Sequence, residues 1–205
     1  MANADTSFGL RPVTYLSGGA YSGHIRPYFK AAGYATAMFV GDPIVFVNTG
    51  NTTAVIDKVG GEFPIGTLQS VERGAAGGPF GGVVVGFGAD PDNLNRSYSP
   101  ASTEAIVWVA DDPNLVFEIQ EASGGTALTA AAVGLNASVV VGSGSTQYGT
   151  SGVELDNATE ATTATLELKL LGIVNRDDNE IGEHCKWLVK INNHQLNSHT
   201  GTAGV

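Results

Sequence analysis

The residues with the best claim to chemistry are Asp177-Asp178-Asn179-Glu180, followed closely by Glu183 and His184, the densest run of oxygen ligands in the chain. Such a run suggests calcium. A calcium loop of the EF-hand kind needs carboxylates at alternate positions, a Gly at the sixth and a Glu at the twelfth. Those features are missing, and a solvated turn selects Asp and Asn on its own account. His184, Cys185 and His194 are of zinc-ligating type. Adjacent residues on a strand point to opposite faces, however, which separates His184 from Cys185, and His199 lies in a polar tail.

Nucleophile and phosphate motifs are equally thin. Gly142-Ser143-Gly144-Ser145 lacks the spacing of a nucleophile elbow, and no strand-to-helix turn follows it. Gly86-Phe87-Gly88 has no third glycine and no following helix to hold a phosphate, and there is no Walker loop. Ten His, Cys and Lys side chains in all leave few groups for acid–base work. The pairs Asp90/Asp92 and Asp111/Asp112 flank prolines, as turns do. The expectation is a protein that is not an enzyme and carries neither metal nor cofactor.

The elements around these residues read as short apolar runs broken by turn signals. Gly41-Asp42-Pro43 separates Met38–Val40 from Ile44–Val47, and further runs cover 54–59, 65–71 and 82–87. A polar stretch, 88–103, reads as a long loop between two halves. Runs at 105–110 and 115–120, joined by Asp111-Asp112-Pro113-Asn114, predict a hairpin with a four-residue connection. One helical turn is expected over 126–134, with Thr126 as cap, alanines inside and Gly134 past the end. A strand is expected over 137–141. Leu166, Leu168 and Leu170 alternate with polar residues over 163–170, and Trp187, Val189 and Ile191 do so over 186–191. About ten such runs with almost no helical period predict an all-β chain, an antiparallel β-barrel or β-sandwich.

Residues 1–30 differ from the rest. They hold three cations against one anion, a net of +2, whereas the remainder holds seven against nineteen, a net of −12. Five aromatics are interleaved with Gly and Pro at a density that forbids a regular helix. Extended, such a segment spans up to roughly 100 Å. The reading is an extended N-terminal arm that docks on a neighbour, with Phe8, Leu10, Arg11, Pro12, Tyr15, Tyr21, Arg26, Tyr28 and Phe29 as the contact residues. Arg11-Pro12 and Arg26-Pro27 each place a guanidinium on extended backbone, within reach of a partner's carboxylate. A strap folded over the chain's own core is the alternative. The body then divides into β-rich halves, 31–100 and 101–205, which could also form one domain.

The net charge of −10 disfavours nucleic acid as a partner. No apolar run approaches the ~20 residues of a membrane-spanning helix. The lone Cys185 excludes an internal disulfide and reads as a buried, inert thiol. The first residues show no secretory signal, so synthesis in a cytoplasm is expected and the Asn-x-Ser/Thr sequons at Asn51, Asn95, Asn136 and Asn157 carry no glycan.

Several stretches resemble the small structural proteins of short-tailed bacteriophages, most closely those of the capsid cement, or decoration, type. They are Met1-Ala2-Asn3-Ala4 leading to Phe8-Gly9-Leu10-Arg11-Pro12-Val13, then Gly41-Asp42-Pro43, Asp90-Pro91-Asp92-Asn93-Leu94, and the C-terminal segments 174–180 and 187–194. The resemblance implies a β-rich module on the outer surface of the virion head, often a homotrimer, that clamps adjacent subunits of the major capsid protein. A tail-associated or host-surface-binding module, an adhesin, is the alternative. It would need exposed aromatic platforms, whereas Trp108 and Trp187 both fall in runs that read as buried.

Overall fold

The computed structural model describes residues 3–56, 61–90, 93–197 and 200–204. Its strands are β1 (Arg11–Tyr15), β2 (Arg26–Lys30), β3 (Pro43–Gly50), β4 (Val55–Ile56), β5 (Glu62–Phe63), β6 (Gln69–Arg73) and β7 (Gly82–Phe87). They continue with β8 (Ala105–Ala110), β9 (Leu115–Gln120), β10 (Asn136–Ala137), β11 (Val139–Gly142), β12 (Gly152–Leu155), β13 (Leu168–Ile173) and β14 (Lys186–Ile191). The fold is all-β. A closed barrel has the order β2-β6-β3-β7-β8, and an antiparallel sheet has the order β1-β9-β14-β13-β10. Within the barrel β2 and β6 run parallel, and the other seams are antiparallel. Two-stranded ribbons, β4–β5 and β11–β12, complete it.

Alternation explains β14: Trp187, Val189 and Ile191 are buried while Leu188 and Lys190 are only half-buried. In β9 all six residues are buried, although Glu118 and Gln120 alternate with Phe117 and Ile119. The apolar face meets the main core, and the polar face lies under Arg176 and the first described residues, with Arg176 on Glu118 (2.9 Å) and Thr6 N–H donating to Gln120. A strand covered on both sides shows no wet face.

One core runs through both halves. Leu10, Phe80, Val83 and Ala110 pack in the same cluster as Leu115, Phe117, Trp187 and Val189. The main core thus draws on residues from both sides of 100/101. The segment 88–103 joins neighbouring strands β7 and β8 of one barrel, and Ser99 bridges Met38 beneath it.

Strands form at 105–110 and 115–120, yet the expected hairpin does not. β8 pairs with β2 and β7 in the barrel, while β9 pairs with β1 and β14 in the sheet. The connection is a corner. Asp111 is buried and accepts from Tyr28 Oη and Arg26 Nε of β2, which holds the chain to the barrel until Asp112 turns it away.

The helical turn shortens to a 3-10 turn, Ala130–Ala132, capped by Thr129 rather than Thr126, with Gly134 past its end at φ +92°. Leu128 N–H donates to buried Glu121 just before the turn. The strand expected from 163 begins at Leu168. Carbonyls of Thr163, Ala164, Thr165 and Leu166 are taken instead by the side-chain amides of Asn136, Asn192 and Asn193. The run 137–141 is split between β10 and β11, and that at 65–71 starts at Gln69. Of the run 54–59, only Val55–Ile56 is strand, and 57–59 lie outside the described residues.

Candidate functional site

Residues 3–30 are not a free arm. β2 fills the seam of the barrel between β6 and β8, and β1 pairs along β9. Leu10, Tyr28 and Phe29 are 1%, 6% and 5% exposed, so three of the nine expected contact residues build the chain's own core. The physical reason is barrel closure: removing β2 would leave β6 and β8 with unpaired backbone groups and open the core around Tyr28 and Phe29. A backbone interlock fixes the entry. Leu10 N–H donates to Gly41 O (2.9 Å), Gly9 and Gly41 sit at φ +72° and +95°, and a side chain on either would strike the other segment's backbone.

The other six expected residues surround this path. The Arg11 guanidinium lies 4.3 Å over the Phe8 ring, with its side chain 55% exposed and 3.9 Å from Glu118. Pro12 faces Phe117 across the β1–β9 register. Tyr15 contacts Tyr21 and His24, with ring centroids 6.4 and 6.2 Å apart. Burial, then the neighbouring Tyr15, pushes the Tyr21 hydroxyl pKa up. Arg26 is 61% exposed on its side chain and grips Asp111 at 2.7 Å. Burial and the bond to Asp111 push Tyr28 up as well.

What remains available is the connection between β1 and β2. It turns tightly, with Tyr15 N–H donating to Gly19 O (2.8 Å) and Tyr21 N–H to Val13 O (3.2 Å). Of residues 16–26 all but Tyr21 are exposed, including Leu16 at 47% and Ile25 at 41%. This loop carries His24 and Arg26, and no acidic residue occurs between Asp5 and Asp42. It is an apolar prominence, and the Arg26 charge at its end is met by Asp111 of the body. Leu16 and Ile25 are not among the expected contact residues, which are mainly aromatic and cationic; their signal is an aliphatic residue at each end of a glycine-rich turn.

Among the described residues His184, Cys185 and His194 do not come together as one metal-ligating set. Cys185 is fully buried, with its thiol pushed up to about 11 by burial. His194 is buried elsewhere and pushed down to about 4. His199 and Asp92 lie outside the described residues. In the run 177–180, Asn179 is buried and closes the β13–β14 connection, donating to Val174 O and Lys186 O and accepting from Lys186 N–H. Arg176 pairs with Asp178 at 3.1 Å. The run is a structural turn.

Buried ionisable groups hold elements together. Asp42 accepts from Phe39 N–H, Ser151 Oγ and Arg73 Nε, tying barrel to ribbon. Glu121 accepts from Leu128 N–H, Asn157 and Trp187 Nε1. Burial pushes both carboxyls up, and those donors oppose the shift. Lys30, fully buried, donates to Pro100 O and Thr103 O and is pushed down to about 8 by burial. Among the described residues no helix is long and apolar enough to cross a membrane. No family model matches this chain, and no curated protein or solved structure matches it.

Proposed function

We propose that this protein is a capsid cement protein of a short-tailed bacteriophage. It binds the outside of the head and stabilises contacts between major capsid subunits. Its work is summed interface energy rather than a reaction. The observation that carries the reading is the loop 16–26, which exposes Leu16, Ile25 and His24, with Arg26 at its end held on Asp111. The docking element is thus a loop held at both ends by strands, and less conformational entropy is lost on binding than a free arm would lose. The likeness of segments such as Phe8–Val13 to phage cement proteins supports the same reading. Specific contacts need a total of roughly 1,200–2,000 Å² of buried surface. One loop supplies part of that, and several copies acting as one unit slow release further.

The test is co-sedimentation of the Leu16→Asp/Ile25→Asp double variant with heads that lack the protein. Burying an aliphatic side chain is worth about 1.5–3 kcal/mol, so losing two weakens binding well beyond tenfold while leaving the melting transition in place. Undiminished decoration of heads overturns the assignment of this loop. Failure of the unaltered protein to bind heads, together with saturable binding to host glycans, overturns the cement reading in favour of the adhesin.

A further inference from the structure

We propose a divalent transition-metal site formed by Asp5, Glu154 and His184, independent of the docking role. One ligand atom from each lies within 4.8 Å of the others. The three come from distant parts of the chain: the segment before β1, the middle of β12 and the loop preceding β14. His184 attracts notice in the sequence, but its partners here are not the neighbours in sequence that make it look like a ligand.

The three groups gather around one buried side-chain amide. The fully buried Gln120 places its Nε2 2.7 Å from Glu154 Oε1, 2.9 Å from Asp5 Oδ1 and 3.4 Å from His184 Nδ1. The two amide hydrogens serve the two carboxylates, and the imidazole nitrogen stands beside them, an acceptor or a donor according to its tautomer. The Asp5 carboxylate is also 3.5 Å from His184 Nδ1. Metal–ligand bonds of about 2.0–2.2 Å need these groups to close in by roughly 1 Å on an ion placed between them. Half a turn about the last Gln120 side-chain bond, a soft torsion, would exchange Nε2 for Oε1 and add a fourth ligand. Thr6 N–H, which now donates to that oxygen at 2.9 Å, would be released.

The surroundings hold the ligand-bearing segments in place. Lys186 Nζ donates to both Ala4 O (2.6 Å) and His184 O (3.0 Å), fixing the backbone beside two of the ligands. Asn3 clamps the loop, donating to Glu180 O and Glu183 O and accepting from Glu180 N–H. One imidazole with two carboxylates is a mixed nitrogen–oxygen set. That set suits zinc and its neighbours, whereas calcium and magnesium take shells of oxygen alone. The ion would pin residues 3–6 to β9, β12 and the loop before β14.

The experiment is calorimetric titration of the full chain with zinc chloride and, separately, calcium chloride. One zinc per chain is expected to bind at least tenfold more tightly than calcium and to raise the melting temperature. Asp5→Asn and Glu154→Gln each weaken zinc binding at least tenfold. His184→Asn does the same, and Asn tolerates the φ of +59° at that position. Asp177→Asn, on the exposed turn, leaves it unchanged. Asp5 is 68% exposed on its side chain, so its variant folds even if the others do not. A titration with no saturable one-to-one event, or equal zinc affinity in Asp5→Asn, removes the site. Calcium binding as tightly as zinc removes the assigned class of ion.

Discussion

His194 makes the fold sensitive to acid through one buried imidazole. Its ring is 2% exposed, its Nδ1 accepts from Leu196 N–H (3.1 Å), and its Nε2 has no hydrogen-bond partner among the described residues. Burial depresses its pKa from 6.5 to about 4; Asp111 and Asp112 pull the other way, and Lys190 adds to the depression. The unfolded chain therefore takes up the proton first as pH falls. Stability is full above about 6.5 and is lost progressively toward about 4, where the difference of about 2.5 units amounts to about 3 kcal/mol. That is a large share of the 5–15 kcal/mol typical of a domain. Asp42 and Glu121, pushed up by burial, bind protons first in the folded state and oppose this trend. A single pH profile therefore mixes the two effects, and the comparison must be with a variant. In His194→Asn, the side-chain oxygen can still accept from Leu196, and the titrating ring is gone. Urea unfolding followed by fluorescence of the buried Trp187, at about pH 7 and about pH 4, gives the two losses. The native chain should lose about 3 kcal/mol more than the variant between them. Equal losses in the two proteins would refute the reasoning.

Asp42→Ala should cost about 3–5 kcal/mol in urea unfolding, because it leaves the largely buried Arg73 guanidinium without its carboxylate. Two glycines with positive φ should respond differently to alanine. Gly77, at φ +85° with open space around it, should lose about 1–2 kcal/mol, the cost of a left-handed alanine. Gly41→Ala should lose more than about 3 kcal/mol, since the added carbon strikes Phe8 O as well. Similar midpoints for the two variants would contradict the interlock of Gly9 and Gly41.

Local elements were legible where one face is apolar and the other polar, or where the run is apolar throughout. β7, β8, β9 and β14 occupy the residue ranges their side chains suggest. Errors arose where distant side chains compete for backbone groups. Asn136, Asn192 and Asn193 take the carbonyls of 163–166, and Glu121 takes the Leu128 N–H just before the 3-10 turn. The leader was misjudged for a related reason. Its rings and glycines show that it must be buried, but Tyr28 finds its partners at Ile44, Val84 and Val107, and Gly9 at Gly41, none of which is a near neighbour in sequence. Of the nine expected contact residues, Arg11 and Arg26 keep the most exposed side chains.

Composition and periodicity by themselves determined the all-β class, the turns and the inward face of β14, because alternation is a property of residues two apart. Tertiary structure alone decided that β8 and β9 part company, that residues 26–30 close a barrel, and that Asp5, Glu154 and His184 meet. Closing a longer loop costs only slightly more entropy than closing a short one, so a strand's partner is chosen by the surface it buries and not by its nearness along the chain.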